Sequence, residues 1–193
     1  MSPACRLVLA SRSPRRQQLL EQIGVRFEVR PVDVVEQRAD NESPHQYVRR
    51  VARDKARAGL ASLADAPSVW VLGSDTEVVH DDRVFGKPEN DAEATAMLSC
   101  LAGSCHQVIS CVWLVGTASE HEASCISQVS MAHLDEARIA AYVATGEPHG
   151  KAGAYAIQGH AAAFIKHLSG SYSAVMGLPL YETAQLLRGC GLI

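Results

Sequence analysis

The sequence predicts an α/β fold built on a mixed, twisted sheet, and three observations support this prediction. The chain has 193 residues, of which 47% are hydrophobic and 20% charged, the composition of a protein that buries a core. Strand-like and helix-like segments follow one another without strict alternation, which favours a mixed sheet over an all-parallel one. No repeat, low-complexity segment or linker interrupts the chain, so residues 1–193 are predicted to form one domain.

The first strand and the first helix are predicted from an apolar run that is followed by a helix-start signal. Residues 6–10 form a mostly apolar run that is typical of a buried strand. Ser13 suits the N-cap of a helix, because its side chain can accept a hydrogen bond from the first turn. Pro14 suits the first helical position and Gly24 the end, which predicts a helix over residues 15–22.

The next predicted elements are a short strand, a long helix and a second buried strand. The short strand lies near residues 27–29. Ser43 and Pro44 repeat the helix-start signal, and the helix is predicted to continue to about residue 63. Residues 69–72 are apolar throughout and predict a strand that ends at Gly73, Ser74 and Asp75.

A hairpin, three further strands and three further helices complete the predicted fold. Residues 76–79 and 83–85 flank an Asp81-Asp82 pair, the pattern of two strands joined by a tight turn. The remaining predicted elements are a helix over 90–101, strands over 107–115 and 124–132, a helix over 135–144, a strand over 162–167 and a helix over 179–187.

The charge is unevenly distributed along the chain. The net charge of −3 argues against a generally basic nucleic-acid-binding protein. Residues 1–60 carry 12 Lys and Arg against 7 Asp and Glu, whereas residues 61–193 carry 6 against 14. Two interpretations stay open: a cleft that brings phosphates to metal-binding carboxylates, or an uneven surface charge without function.

Neither a membrane segment nor a disulfide framework is expected. No apolar run approaches the roughly 18 residues that a membrane helix needs, and the run 7–10 is too short for a signal-peptide core. The six cysteines form no CxxC pair and show no zinc spacing. We therefore expect reduced, mostly buried thiols in a cytoplasmic protein.

Three arginines crowd the start of the first predicted helix. Arg12, Arg15 and Arg16 oppose the positive end of the helix dipole, which costs stability unless an anion binds there. A polyphosphate would resolve the conflict, since guanidinium groups match phosphate oxygens. Ordinary solvated arginines are the alternative.

Lysines and carboxylates supply further candidates for chemistry. Lys55 falls within the small and apolar stripe of the long helix, so it either reaches solvent or points its ammonium into a cleft. Asp75 comes at a predicted strand end, where ligands bind in open α/β sheets. With Glu36 it would suit Mg²⁺ or Mn²⁺ bound together with phosphate oxygens. Lys87, after the hairpin, is a second candidate phosphate ligand.

A Gly- and Ala-rich loop over residues 150–159 contains one amide side chain, that of Gln158. Small residues permit the backbone to approach a planar ligand closely. A turn with a solvated glutamine is the alternative interpretation.

Seven short motifs, in order along nearly the whole chain, resemble those of the Maf family of nucleoside triphosphate pyrophosphatases. They are Leu9-Ala-Ser-Arg-Ser-Pro-Arg-Arg16, Gly73-Ser-Asp-Thr76, Gly86-Lys-Pro88, Gly146-Glu-Pro148, Lys151-Ala-Gly-Ala-Tyr155, Ile157-Gln-Gly159 and Gly177-Leu-Pro179. Each motif is weak by itself, whereas the ordered set is specific. The resemblance implies a fold like that of inosine triphosphate pyrophosphatases, with an elongated mixed sheet, flanking helices and a cleft between two lobes.

The resemblance also implies a reaction, in which a nucleoside triphosphate is hydrolysed to the monophosphate and pyrophosphate with a divalent metal cation, Mg²⁺ or Mn²⁺. Asp75 would be the proton acceptor or a metal ligand, and Glu36 a second metal ligand. Family members often have two adjacent acids where this chain has Val35-Glu36. The other implied site residues are Lys55 and Lys87 as catalytic residues and Ser11, Ser13 and Arg16 as phosphate-binding residues.

The residues that set substrate preference resemble those of the branch that acts on dTTP and UTP. They are Arg15, Thr76 and Gln158, and a sister branch that acts on 7-methyl-GTP differs at all three. Two alternatives stay open: a 7-methyl-GTP pyrophosphatase, and a non-catalytic nucleotide-binding regulator of septum formation. No GxSxG, HExxH or Walker motif occurs. The oligomeric state is open, with a homodimer as one alternative.

Overall fold

The computed structural model describes residues 6–63 and 68–193, which form an α/β fold with a seven-stranded mixed sheet and flanking helices. The strands are β1 (Arg6–Leu9), β2 (Glu28–Val29), β3 (Val69–His80), β4 (Arg83–Phe85), β5 (Cys105–Gly116), β6 (Glu120–Met131) and β7 (Ile165–Ser169). The helices are α1 (Pro14–Gln22), α2 (Pro44–Ala61), α3 (Asp91–Leu101), α4 (Glu136–Val143), α5 (Tyr172–Met176) and α6 (Leu180–Gly189). Two 3₁₀ turns cover Ala152–Ala154 and His160–Phe164.

The strand order makes the sheet mixed, as the sequence predicts. The order is β2-β1-β3-β5-β6-β7, and β4 pairs with β3 outside this path. β1 is parallel to both of its neighbours, with Leu9 opposite Leu72 of β3. β4 is antiparallel to β3 and β7 is antiparallel to β6. The connection from β5 to β6 has only three residues, which requires antiparallel strands.

The chain divides into two compact units. Unit 1 contains the residues up to Asp75, Ser110–Cys125 and Gly177–Ile193, and unit 2 contains Thr76–Ile109 and Ile126–Met176. In unit 1, small and β-branched residues of β1, Ala10 and β3 form a buried cluster, against which partly buried Val32, Leu60 and Leu63 pack. In unit 2, a larger core includes buried Leu98, Val108 and Val129.

The helix-start signals in the sequence predict the real helix starts. Ser43 caps α2 with its side chain, and Gln46 returns a hydrogen bond to the backbone of Ser43. Asn90 caps α3 by accepting a hydrogen bond from Glu93 N at 2.9 Å. Ser13 occupies the N-cap of α1 but makes no side-chain capping bond there.

Two predicted element boundaries are wrong. The structure has one continuous strand over Val69–His80 where the sequence predicts a strand end at residues 73–75. A glycine is required at position 73 because α2 lies directly against β3 there, and not because the chain turns. A Cβ at Gly73 would meet Ala52 O and lie 2.5 Å from Ala56 N. The predicted strand over 162–167 begins as a 3₁₀ turn and becomes β7 only at Ile165.

The cysteines differ partly from expectation. Five are described and all five are free thiols, but only Cys111 among them is buried, while Cys100 and Cys105 are exposed. Cys5 lies outside the described residues. Within residues 6–63 and 68–193, none of the helices has the length and apolar character that crossing a membrane requires.

Candidate active site

Lys55 lies at the centre of a charged cluster in unit 1. The apolar side of α2 faces the core, with Val48, Val51 and Ala52 fully buried, and Lys55 continues that side. Its side chain is only 9% exposed, and its Nζ lies 2.8 Å from Asp75 Oδ1 and 2.7 Å from Glu36 Oε1. Of the two alternatives for this lysine, the route to solvent is therefore wrong. The ammonium lies between two carboxylates.

Asp75 is placed by the middle of β3, and not by a strand end as the sequence predicts. The residue is 4% exposed, because the strand continues past it. Lys55 binds Oδ1, whereas Oδ2 is buried and has no hydrogen-bond partner among the described residues. A buried carboxylate oxygen without a partner is costly, so this atom is suited to a proton or a cation supplied by a ligand.

Glu36 belongs to an irregular segment that α2 holds in place. Its side chain is 36% exposed and pairs with Lys55. Arg50 of α2 donates to the backbone oxygen of the next residue, Gln37 O, at 2.9 Å, and to both carboxylate oxygens of Glu42. The Arg50 hydrogen bonds hold the pKa of the Glu42 carboxyl below its ordinary value, in spite of the opposing effect of burial. Sequence reasoning missed Arg50, since nothing in the helical pattern shows what a surface arginine will contact.

The start of α1 brings Ser11, Ser13 and Arg16 together. The buried Ser11 hydroxyl accepts from Ser13 N at 3.1 Å and from Arg16 Nη1 at 3.4 Å. Arg16 Nε also donates to Gly177 O at 2.7 Å. These contacts fix the direction of the Arg16 guanidinium and give the Gly177-Leu-Pro179 motif a role, because its first carbonyl is the acceptor.

The other two arginines of this segment differ from each other. Arg15 is half-buried, and that burial lowers the pKa of its guanidinium. Arg12 is exposed and forms a surface ion pair with Asp33 at 2.8 Å. The structure therefore groups Arg16 with the serines and directs Arg12 elsewhere.

Three predicted site residues, Thr76, Lys87 and Gln158, belong to unit 2. Thr76 is half-buried in β3, while Lys87 and Gln158 are exposed in connecting segments. The segments that carry Lys87 and Gln158 are joined by a backbone hydrogen bond, in which Gly153 N donates to Gly86 O at 3.1 Å. Gly153 has a φ of +67° and its Cα packs against the Val78 side chain, which leaves no room for a Cβ.

A buried pair of aromatic residues anchors the Gly- and Ala-rich loop to β5. Tyr155 Oη and His106 Nε2 lie 2.8 Å apart, and the two rings meet edge to face. Burial lowers the pKa of His106 to about 4, so the imidazole is neutral at neutral pH. The tyrosine of the Lys151–Tyr155 motif therefore has a packing role that sequence reasoning missed.

Taken together, the fold and these contacts define an α/β protein with a candidate site for an anionic ligand. Unit 1 holds a buried lysine between two carboxylates and an oriented arginine at a helix start, the groups that bind phosphate oxygens and divalent cations.

The chain belongs to the Maf-like protein family, whose model matches residues 6–190. This match confirms the resemblance drawn from the seven motifs. The chain is 59% identical over 187 residues to a dTTP/UTP pyrophosphatase of Xanthomonas campestris pv. campestris, covering 96% of this chain and 98% of the relative. It is 53% identical over 182 residues to a nucleoside triphosphate pyrophosphatase of Xylella fastidiosa, covering 94% and 96%.

A solved structure of a dITP/XTP pyrophosphatase from Mycobacterium abscessus is 18% identical to the chain. It matches with a TM-score of 0.43 over 67% of this chain and 75% of that one.

Proposed function

We propose that this chain hydrolyses dTTP and UTP at the α–β phosphoanhydride bond, releasing the monophosphate and pyrophosphate. The observation that carries the proposal is the Asp75 carboxylate, buried in β3, with Oδ1 held by Lys55 and Oδ2 without a hydrogen-bond partner among the described residues. Relatives that share 53–59% of their residues with nearly the whole chain bear the names of such enzymes. We further propose that residues 1–193 act as one catalytic domain.

The donor atoms in unit 1 suit a divalent cation such as Mg²⁺ or Mn²⁺. Asp75 and Glu36 each place an oxygen within 2.8 Å of the same nitrogen, so these oxygens lie no more than about 5.6 Å apart. The described residues contain no group of three His, Cys, Asp or Glu side chains that could hold a metal. Mg²⁺ commonly takes one or two carboxylates and completes its shell with substrate phosphates and water. We assign Asp75 and Glu36 as the ligands, and the cation would polarise the α-phosphate.

The chain's own groups then have separate tasks. Arg16, with Ser11 and Ser13 at the start of α1, would hold phosphate oxygens, because guanidinium and N-terminal helix groups favour anions. Lys55 and Lys87 would neutralise further phosphate charge. Asp75 Oδ2 would either accept the proton of the attacking water or bind the cation, since both tasks need an ionised oxygen without an internal donor.

Gln158 is assigned to the choice of base. Uracil and thymine present a carbonyl at O4 beside an N3–H, and a glutamine amide complements both by donating to O4 and accepting from N3–H. The guanine edge offers two neighbouring donors, which a carboxylate suits better. Thr76 and half-buried Arg15 would adjust the same choice more weakly, because neither offers a paired donor and acceptor.

The first experiment measures pyrophosphate release from dTTP, UTP, other nucleoside triphosphates and 7-methyl-GTP. Asp75→Asn should lower turnover by at least about 10²-fold, because an amide neither accepts the proton nor binds a cation strongly. Glu36 still pairs with Lys55 in this variant, so the fold should persist. Asp81→Asn is the matched control, since Asp81 is 90% exposed in the β3–β4 turn. Near wild-type release by a folded Asp75→Asn would remove Asp75 from the mechanism.

The second experiment tests the base assignment with Gln158→Glu. This variant should depress dTTP and UTP hydrolysis and raise the relative rate with 7-methyl-GTP, because the carboxylate accepts from guanine donors and repels O4. An unchanged ratio of UTP to 7-methyl-GTP turnover would show that Gln158 does not read the base. Binding of these nucleotides without any turnover would instead favour the non-catalytic regulator.

A further inference from the structure

The Gly146-Glu-Pro148 motif has no part in the proposed chemistry, yet the carboxylate of its glutamate accepts three hydrogen bonds in unit 2. The Glu147 side chain is only 18% exposed. It accepts hydrogen bonds from His160 N at 2.9 Å and from Ala161 N at 3.2 Å. Tyr142 Oη donates to the same carboxylate at 2.8 Å. A carboxylate only accepts, so it satisfies all three donors at once.

Tyr142 extends this arrangement to the other end of the loop. Its Oη accepts a hydrogen bond from Ala156 N at 3.3 Å while donating to Glu147. The two side chains therefore hold both ends of residues 156–161, here called the 156–161 segment. Gln158 is exposed in the middle of this segment.

Gly159 brings the turn of the 156–161 segment directly against the Glu147 carboxylate. Gly159 N donates to Ala156 O at 3.0 Å, which closes a tight turn. A Cβ at Gly159 would lie 2.5 Å from Glu147 Oε1 and would also meet the other carboxylate atoms. Burial opposes ionisation of Glu147, but the hydrogen bonds from His160, Tyr142 and Ala161 outweigh it, and the pKa lies below its ordinary value. The group is ionised at neutral pH.

We propose that Glu147 is a positioning residue for base selectivity, which acts with Tyr142 to fix the 156–161 segment so that Gln158 meets the base in one orientation. The inference rests on the proposed function, because it takes Gln158 as the base-reading residue. A purely structural role is the competing explanation, in which the same contacts stabilise unit 2 and leave selectivity untouched.

The decisive variant is Glu147→Gln, whose amide nitrogen faces a backbone N–H or the Tyr142 hydroxyl and so loses an accepting atom. The ratio of kcat/KM for UTP to that for 7-methyl-GTP should fall about tenfold, the effect of one lost charged hydrogen bond. Gln158→Ala should lower the same ratio, and the double variant should fall no further than Gln158→Ala alone, since the two residues act on one contact. Backbone amide exchange in the 156–161 segment should become faster.

Two further variants separate positioning from general stability. Tyr142→Phe keeps the ring, which packs edge to face on Phe164 at 5.3 Å, and removes only the hydroxyl. It should shift the substrate ratio in the same direction by a smaller factor. Glu136→Gln is the matched control, because it makes the same change of side chain at an exposed position at the start of α4.

The outcomes distinguish the two proposals. A wild-type chain that hydrolyses neither dTTP nor UTP would overturn the proposed function itself. Wild-type hydrolysis with an unchanged substrate ratio in Glu147→Gln, whatever its melting temperature, would overturn only the positioning role. Additive losses in the double variant would also count against it, because they would place Glu147 and Gln158 on separate contacts.

Discussion

The two units hold their candidate site residues by different physical means. In unit 1, Lys55 and Asp75 project from the regular elements α2 and β3 and are joined by a buried ion pair of 2.8 Å. In unit 2, Gln158 projects from an irregular segment whose backbone N–H groups are held by Glu147 and Tyr142. The residues of unit 1 are held by contacts between side chains, whereas the segment in unit 2 is held by hydrogen bonds between side chains and backbone.

This difference predicts how stability and function are coupled in each unit. A buried ion pair is both the chemistry and part of the packing, so removing one partner leaves an uncompensated charge. An exposed side chain on a separately held segment can be changed without that cost. Variants of the buried ion-pair residues in unit 1 should therefore affect both turnover and stability, whereas variants of the exposed candidate site residues in unit 2 should affect turnover alone.

The two lysines test this coupling with the largest expected effect. Lys55→Met leaves Asp75 buried without its cation, and it should lower stability by about 3 kcal/mol as well as turnover. Lys87→Met changes an exposed side chain, and it should weaken turnover with an unchanged melting temperature. On the sequence alone, both substitutions would be expected to spare stability, and the contacts of Lys55 reverse that expectation. Equal melting temperatures for the two variants would contradict the coupling.

Two glycines give the same comparison with an intermediate effect. Gly73→Ala places a methyl group against the backbone of α2 at Ala52 and Ala56, so β3 must shift, at a cost of about 2–3 kcal/mol. Gly159→Ala meets the end of the flexible Glu147 side chain, which can move only by giving up hydrogen bonds to the 156–161 segment, so the cost should be about 1.5 kcal/mol. Gly189→Ala is the control, since its Cβ would meet open space. Thermal unfolding of the three variants ranks their losses of stability. A Gly159→Ala variant less stable than the Gly73→Ala variant would contradict the expected ranking.

The regular parts of the fold could be predicted because their signals are local. Ser43 and Asn90 mark real helix starts, since a capping side chain bonds within its own first turn. Gly73 misled the prediction, because a small residue signals a turn and a close helix contact equally well. The start of β7 was missed for a related reason: a side chain outside the local pattern, that of Glu147, 13 residues earlier in the chain, holds the backbone of His160.

The candidate site also has features that the sequence pattern predicts and contacts that it does not. The motif order and the position of Lys55 on the apolar stripe are properties of the sequence. Its partners are not, because Glu36 comes from a segment without periodicity and is placed by a backbone contact of Arg50 at Gln37. The same holds for Arg16, whose acceptor is the carbonyl of Gly177 and not a side chain. Contacts to backbone atoms of distant loops leave no pattern of residue types to detect.

The smallest predicted effect compares Glu42 of unit 1 with Glu147 of unit 2 by their response to pH and salt. The pKa of each carboxyl lies below the ordinary value of 4.5 in the folded chain. The unfolded chain therefore takes up these protons first as the pH falls. Their stabilisation is complete above about pH 4.5 and is lost as the pH drops through the folded-state pKa values. Glu42→Gln and Glu147→Gln should each lose less stability than wild type between about pH 5 and pH 3.

Salt should distinguish these two contributions. Glu42 accepts one backbone hydrogen bond, from Ala39 N, but its main partner is the cation Arg50, whose side chain is 37% exposed. The contribution of this ion pair is below about 1 kcal/mol and is screened by salt. The hydrogen-bond donors to Glu147 are two backbone N–H groups and a phenol, all uncharged. Its one ion-pair partner in the described structure, the exposed His160 ring, lies 3.9 Å away, so salt should screen a smaller share of the contribution than at Glu42. The measurement is the melting temperature at low and high NaCl across this pH range. High salt should reduce the difference in melting temperature between wild type and Glu42→Gln. The difference in melting temperature between wild type and Glu147→Gln should narrow less, and its collapse in salt would mean that charge pairing with His160, and not backbone anchoring, holds the 156–161 segment.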